Sequence, residues 1–263
     1  MPHGPLFRHA AGTLALLLFA TSSPAFGEAF DEAAYAKVLE RHTKAVDDTA
    51  RTRVDYRSLV GSADWKAVVS SLTVAKPSGF STHQERLAFW VNAYNVLAID
   101  LITHHYPVGS IRDIGWFFSP VWNREVAVIE GRSYTLDQVE NDMLRSMGDP
   151  RIHFAIVCGS TSCPALLREP YSAATVDAQL DRATRDFLAD PAKGSRIDRG
   201  RGKIVLSKIF DWFEEDFAGR GGVIAFITPH LGPSDRAWLE RRSGDIDIEH
   251  FDYDWGLNDS AHH

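Results

Sequence analysis

Cys158 and Cys163 are the only cysteines in 263 residues. That is too few for a disulfide framework, so the core has to come from apolar packing. No apolar run reaches the roughly 20 residues that a membrane-spanning helix needs. The chain has no H-E-x-x-H, no strand–G-x-x-x-x-G-K-[ST]–helix order, no internal repeat and no low-complexity linker. Basic residues are not in surplus either. The formal charge is −7, with 28 Lys and Arg against 35 Asp and Glu. This excludes the basic face of a nucleic-acid binder. Two cysteines at a loose C-x4-C spacing with one nearby histidine fall short of a closed zinc site. No metal and no cofactor is expected.

What is present begins with "MPHGPLFRHAAGTLALLLFATSSPAFG". Arg8 and His9 precede the apolar run Leu14 to Phe19, and Ala25-Phe26-Gly27 offers small residues for cleavage. That order predicts a secretory signal peptide over 1–27 and a secreted or periplasmic product with no membrane span once the signal is removed. Residues 28–74 read as an N-terminal helical segment, 75–257 as the core, and 258–263 as a tail.

Within the first segment the spacing predicts helices over 30–49 and 62–73, with "VDYRSLV" extended or turning between them. The strongest helix starts after "KPSGFS". Thr82 and Glu85 have capping-box spacing, and the residues that follow are apolar nearly all round until Pro107 ends the run. Trp116, Phe117, Phe118 and Trp122 form a dense aromatic group. Residues 125–129 and 132–136 flank Glu130-Gly131 as a β-hairpin, and Thr135 and Gln138 cap a helix that runs to about Met147. Residues 151–158, apolar on both faces, predict a central strand. A helix at 172–189, a hairpin in "GSRIDRGRGKIVLS", and a helix "KIFDWFEEDF" capped by Ser207 come next. Helices at 222–231 and 234–242 and an alternating strand "DIDIEHFDYDW" complete the pattern. The fold class is α+β: a single domain with a mostly antiparallel sheet covered by helices.

The chemistry concentrates in "HFAIVCGSTSCP", His153 to Pro164. A nucleophilic thiol needs its pKa lowered by a histidine, a cation or a helix N-terminus. Cys158 sits at a strand-to-loop junction, and Cys163 precedes a proline that favours a first helical turn. On an extended strand, five residues at about 3.3 Å each would put His153 roughly 16 Å from Cys158 and on the opposite face. A dyad within the segment is therefore not expected, and His104, His105, His230 and His250 stay open as partners. Asn92 and Asn95 lie three apart in the most apolar helix, where a buried amide has to be bonded. They serve either as internal anchors or as substrate or oxyanion donors. Glu85, Glu140 and Asp216 are carboxylates placed to orient His153 or to act as acids.

Four segments, "LAFWVNAYNVL", "RIHFAIVCGSTSCPAL", "LSKIFDWFEEDF" and "FDYDWGLN", together resemble the family called domain of unknown function 547, over about 75–257. The resemblance implies an exported bacterial member and supports one α+β fold. It also implies that relatives carry another residue where Cys163 stands, leaving Cys158 unpaired in them. Two functional readings follow, with a redox protein that cycles a Cys158–Cys163 disulfide as a third. One is a thiol-dependent hydrolase or acyl transferase on an amide or ester. Its catalytic candidates are Cys158, His153, Glu85 and Glu140, with Asn92, Asn95 and Cys163 binding a small-molecule or peptide ligand. The other is a non-catalytic periplasmic binding or interaction module braced by a Cys158–Cys163 disulfide.

Overall fold

The longest helix starts where the capping box places it. Thr82 accepts from the Glu85 amide, and the Glu85 carboxylate accepts from the amides of Ser81 and Thr82. Three backbone donors are thereby satisfied. In the computed structural model this helix, His83–His105, forms the axis of the domain. The structure describes Met1 and residues 29–115, 120–242 and 246–262. The rest of the expected signal peptide, and Trp116, Phe117 and Phe118 of the aromatic group, lie outside the described residues. Among the described residues no helix is long and apolar enough to cross a membrane. Thr82→Ala is expected to cost about 1 kcal/mol, read as a lower urea midpoint at unchanged slope; an unchanged midpoint would show the cap to be idle.

Sixteen consecutive or near-consecutive positions of that helix, Leu87 to Thr103, are buried, so it is wrapped on all sides. Helices Glu32–His42 and Ala63–Val74 cover one flank and Val176–Leu188 another. The predicted helix over 30–49 stops at His42. There Thr43–Ala45 (β1) turns back at Arg51, whose φ is 62°, to pair antiparallel with Thr52–Val54 (β2). Glu125–Ile129 (β3) and Arg132–Thr135 (β4) form the expected hairpin. Positive φ at both Glu130 and Gly131 gives the two-residue turn whose twist matches the strands. Ser195–Asp198 (β5) and Lys203–Leu206 (β6) pair antiparallel, and Asp247–His250 (β7) joins β6 in parallel.

The α+β class holds. Among the described residues, however, the strands form three small sheets and not one covered sheet. No central strand exists at 151–158. Asp149 accepts from the Arg151 amide and Pro150 opens a 3-10 helix, Pro150–Phe154, after which the chain runs on irregularly to Cys158. A short run buried on every side gives the same apolar pattern in a strand and in a helical turn. Here the cap and the N-terminal proline decide for the turn. Two apolar clusters result. One surrounds the long helix; the other surrounds Phe154, with Phe187, Phe210, Phe217 and Phe226 packed on its ring. The "KIFDWFEEDF" stretch splits into two short helices, Ile209–Trp212 and Glu214–Phe217, and the Ser207 hydroxyl accepts from the Ile209 amide as its position suggested.

Candidate active site

Where the two clusters meet, a pocket of about 320 Å³ opens, lined by residues of both. Its polar lining comprises Glu140, His153, Cys158, Cys163, Tyr94 and Tyr253, and Trp122, Trp212, Phe213 and Trp255 form much of its wall.

The thiol loop is held from two sides. Asn95, on the long helix, donates to the Ala155 carbonyl at 3.0 Å and accepts from the Val157 amide at 2.8 Å. Gly159 then turns the chain at φ +82°, where a Cβ would lie 2.7 Å from Ile102 Cδ1 and 3.0 Å from the Tyr56 hydroxyl. Only glycine fits there. The C-terminal segment clamps the other side. The Thr161 amide donates to Gly256 and the Asn258 amide to Gly159, both at 2.8 Å, and Ser160 bridges Leu257. This clamp delivers Tyr253 to the sulfurs.

Cys158 Sγ and Cys163 Sγ lie 2.8 Å apart as free thiols, the first half-buried and the second buried. Cys163 Sγ collects donors: the Cys158 amide at 3.3 Å, the Ser160 hydroxyl at 3.1 Å and the Tyr253 hydroxyl at 3.2 Å. Burial alone would raise the Cys163 thiol. The hydrogen bonds from Cys158, Ser160 and Tyr253 outweigh it and bring the pKa down from 9.0 to about 6. Cys158 moves the other way, well above 9.0, through its hydrogen bond to Cys163 and through burial. The pair thus shares one proton, held on Cys158, and the negative charge rests on Cys163.

Lys193 supports that charge from behind. It is 3% exposed and its Nζ donates to the carbonyls of Cys163 at 2.5 Å and of Ala50 and Thr161 at 3.3 Å. Burial lowers its pKa from 10.5 to about 8, against the attraction of Cys163 and Asp190.

His153 lines the same pocket, stacked on Phe213 at 4.1 Å. Its Nε2 is 2.7 Å from Asp216 Oδ2. Arg145 grips the same carboxylate through Nε and Nη2, both at 2.7 Å, and also reaches Glu215. Burial would raise Asp216, but the hydrogen bonds from His153 and Arg145 hold it well below the ordinary 3.8. It is therefore an anion and an acceptor. Burial lowers His153 below 6.5 against the pull of Asp216. The neutral ring accordingly carries its proton on Nε2, which leaves Nδ1 as an acceptor. Glu140 sits in a π-helical segment, Val139–Leu144. Burial raises its carboxyl from 4.5 to about 7, opposed by Tyr94 and Arg145.

Of the residues singled out in the sequence, the pocket unites Cys158, Cys163, His153 and Glu140. The 16 Å separation expected for His153 and Cys158 rested on a strand that is not there. Asp216 proves to be the carboxylate that orients His153. Glu85 stays outside the pocket, spent on the helix cap. Asn92 and Asn95 are internal anchors and not oxyanion donors: Asn92 donates to the Tyr171 carbonyl and accepts from its amide. Tyr253, Tyr94, Lys193 and Arg145 were not anticipated. Only "FDYDWGLN", quoted for its resemblance, pointed near Tyr253. Among the described residues no group of three or more His, Cys, Asp or Glu is placed to hold a metal ion.

An α+β domain whose aromatic-walled pocket holds a thiol pair and a histidine bonded to an aspartate is the class that these features define. Residues 77–188 match the model of the family described as "Protein of unknown function, DUF547", and the chain carries a domain of that family. The matched stretch contains both cysteines, His153 and Glu140. Asp216 and Tyr253 come from beyond its end and fold back onto it. No curated protein and no solved structure matches the chain.

Proposed function

We propose that the chain is an exported thiol-dependent hydrolase or acyl transferase acting on an amide or ester. The observation that carries this reading is one pocket holding a thiol of lowered pKa, a histidine oriented by a carboxylate, and a carboxyl that titrates near 7. Such a set of displaced pKa values is how acid and base roles are divided in a site. The Cys163 thiolate attacks the acyl carbon, and the carbonyl π pair moves onto oxygen. Collapse expels the alcohol or amine, which takes the proton from Glu140. The thioester that remains is cleaved by water, whose proton passes to His153 Nδ1, or by an acceptor alcohol or amine. The nucleophile in this scheme is Cys163, not Cys158, because the donors converge on Cys163.

The test uses the reduced full chain and p-nitrophenyl acetate. An initial burst of about one equivalent of p-nitrophenolate, with an acetyl group on the peptide bearing Cys163, is expected from a covalent mechanism. Acetylation no faster than that of free cysteine, with no turnover, sinks the proposal.

The 2.8 Å contact between the sulfurs favours a second reading, a dithiol–disulfide couple. Cys163 would attack a substrate disulfide, and Cys158 would then displace the mixed disulfide. The protein pair would end oxidised and the substrate reduced to two thiols. A non-catalytic binding module braced by a Cys158–Cys163 disulfide is excluded if two thiols titrate in protein isolated without reductant.

A further inference from the structure

A second cavity, about 680 Å³, adjoins the thiol pocket and shares three of its walls, Trp122, Trp212 and Trp255. Trp255 packs against both of the others, with ring centroids at 6.2 Å from Trp122 and 5.7 Å from Trp212. Trp212 is 45% exposed although it is among the largest apolar side chains. Among the described residues one charged side chain lines the outer cavity, Arg112, whose Cζ lies 5.0 Å over the Trp255 ring. Among the described residues no carboxylate pairs with it. The neighbouring Asp113 is already engaged, accepting from the amides of Gly109 and Ser110. A guanidinium stacked on an indole keeps the edge of its fork free, and that edge matches a carboxylate. In a chain of net charge −7, an unpaired cation at the mouth of an aromatic trough selects for anions.

We infer that the outer cavity binds a carboxylate-bearing acyl compound with a planar body: Arg112 takes the carboxylate and the body lies against the tryptophan wall. The acyl group then points inward, towards the thiols. This last step rests on the hydrolase reading; the binding step does not.

Calorimetric titration of the full chain with hippurate and with its neutral amide, hippuramide, tests the assignment without turnover. Hippurate is expected to bind more tightly than the amide by about tenfold or more. The preference should shrink with salt, as it does for an exposed charge. Arg112→Met should abolish the preference and leave hippuramide affinity unchanged, and Arg112→Lys should keep only part of it. Equal affinities in the unmodified chain, a preference that survives Arg112→Met, or no binding of either probe at concentrations on the order of 10 mM overturns the assignment. A carboxylate preference without ester turnover would sink the hydrolase reading alone; turnover without the preference would sink this one alone.

Discussion

Cys163→Ser is expected to lower p-nitrophenyl ester turnover by roughly a thousandfold or more, and Cys158→Ala by about ten- to a hundredfold. The asymmetry follows from where the charge rests. Cys163 Sγ accepts from an amide, two hydroxyls and the neighbouring thiol, whereas among the described residues Cys158 Sγ has one hydroxyl beside it, that of Ser160 at 3.4 Å. A serine at 163 has no thiolate to offer at neutral pH. An alanine at 158 removes one donor of four and leaves the rest, so the remaining thiol titrates higher but still ionises. Iodoacetamide rates should show it. In the unmodified protein the alkylation of Cys163 rises with pH through a midpoint near 6. The midpoint moves upward in Cys158→Ala and in Tyr253→Phe. If Cys158→Ala is the dead variant and Cys163→Ser keeps turnover, the roles of the two sulfurs are reversed.

The parts of this site that were legible in the sequence are those set by local rules. Thr82 and Glu85 announced a cap, Glu130-Gly131 a turn, and two asparagines in an apolar helix had to bond something. The site itself depends on contacts between distant segments. His153 meets Asp216 across 63 residues and Cys163 meets Tyr253 across 90; no periodicity carries such pairings. The misread strand at 151–158 shows the same limit. Its apolar run fits two conformations, and the geometric objection to a shared His153–cysteine site came entirely from choosing the wrong one. Lys193 was invisible for a different reason. A lysine reads as surface, and only a ring of three backbone carbonyls makes its burial tolerable.

Glu140→Gln is expected to stabilise the protein above neutrality and to cripple it as a catalyst. The folded-state carboxyl titrates near 7 against an ordinary 4.5, chiefly through burial. Between those two values the folded chain holds a proton that the unfolded chain has released. Stability is therefore lost as pH rises from about 4.5 to 7 and is flat beyond. Two to three pKa units correspond to roughly 3 kcal/mol. Glutamine keeps the shape and has no charge to bury. Urea unfolding should find the variant more stable by about that amount at pH 8 and no different near pH 4; an equal difference at both would refute burial as the cause. Turnover responds to the same proton. If Cys163 must be ionised and Glu140 protonated, the rate rises through about 6 and falls through about 7. The variant loses the falling limb, together with the hundredfold or so that a general acid contributes. A residue whose loss strengthens the fold and removes the alkaline limb is retained for chemistry at the expense of stability.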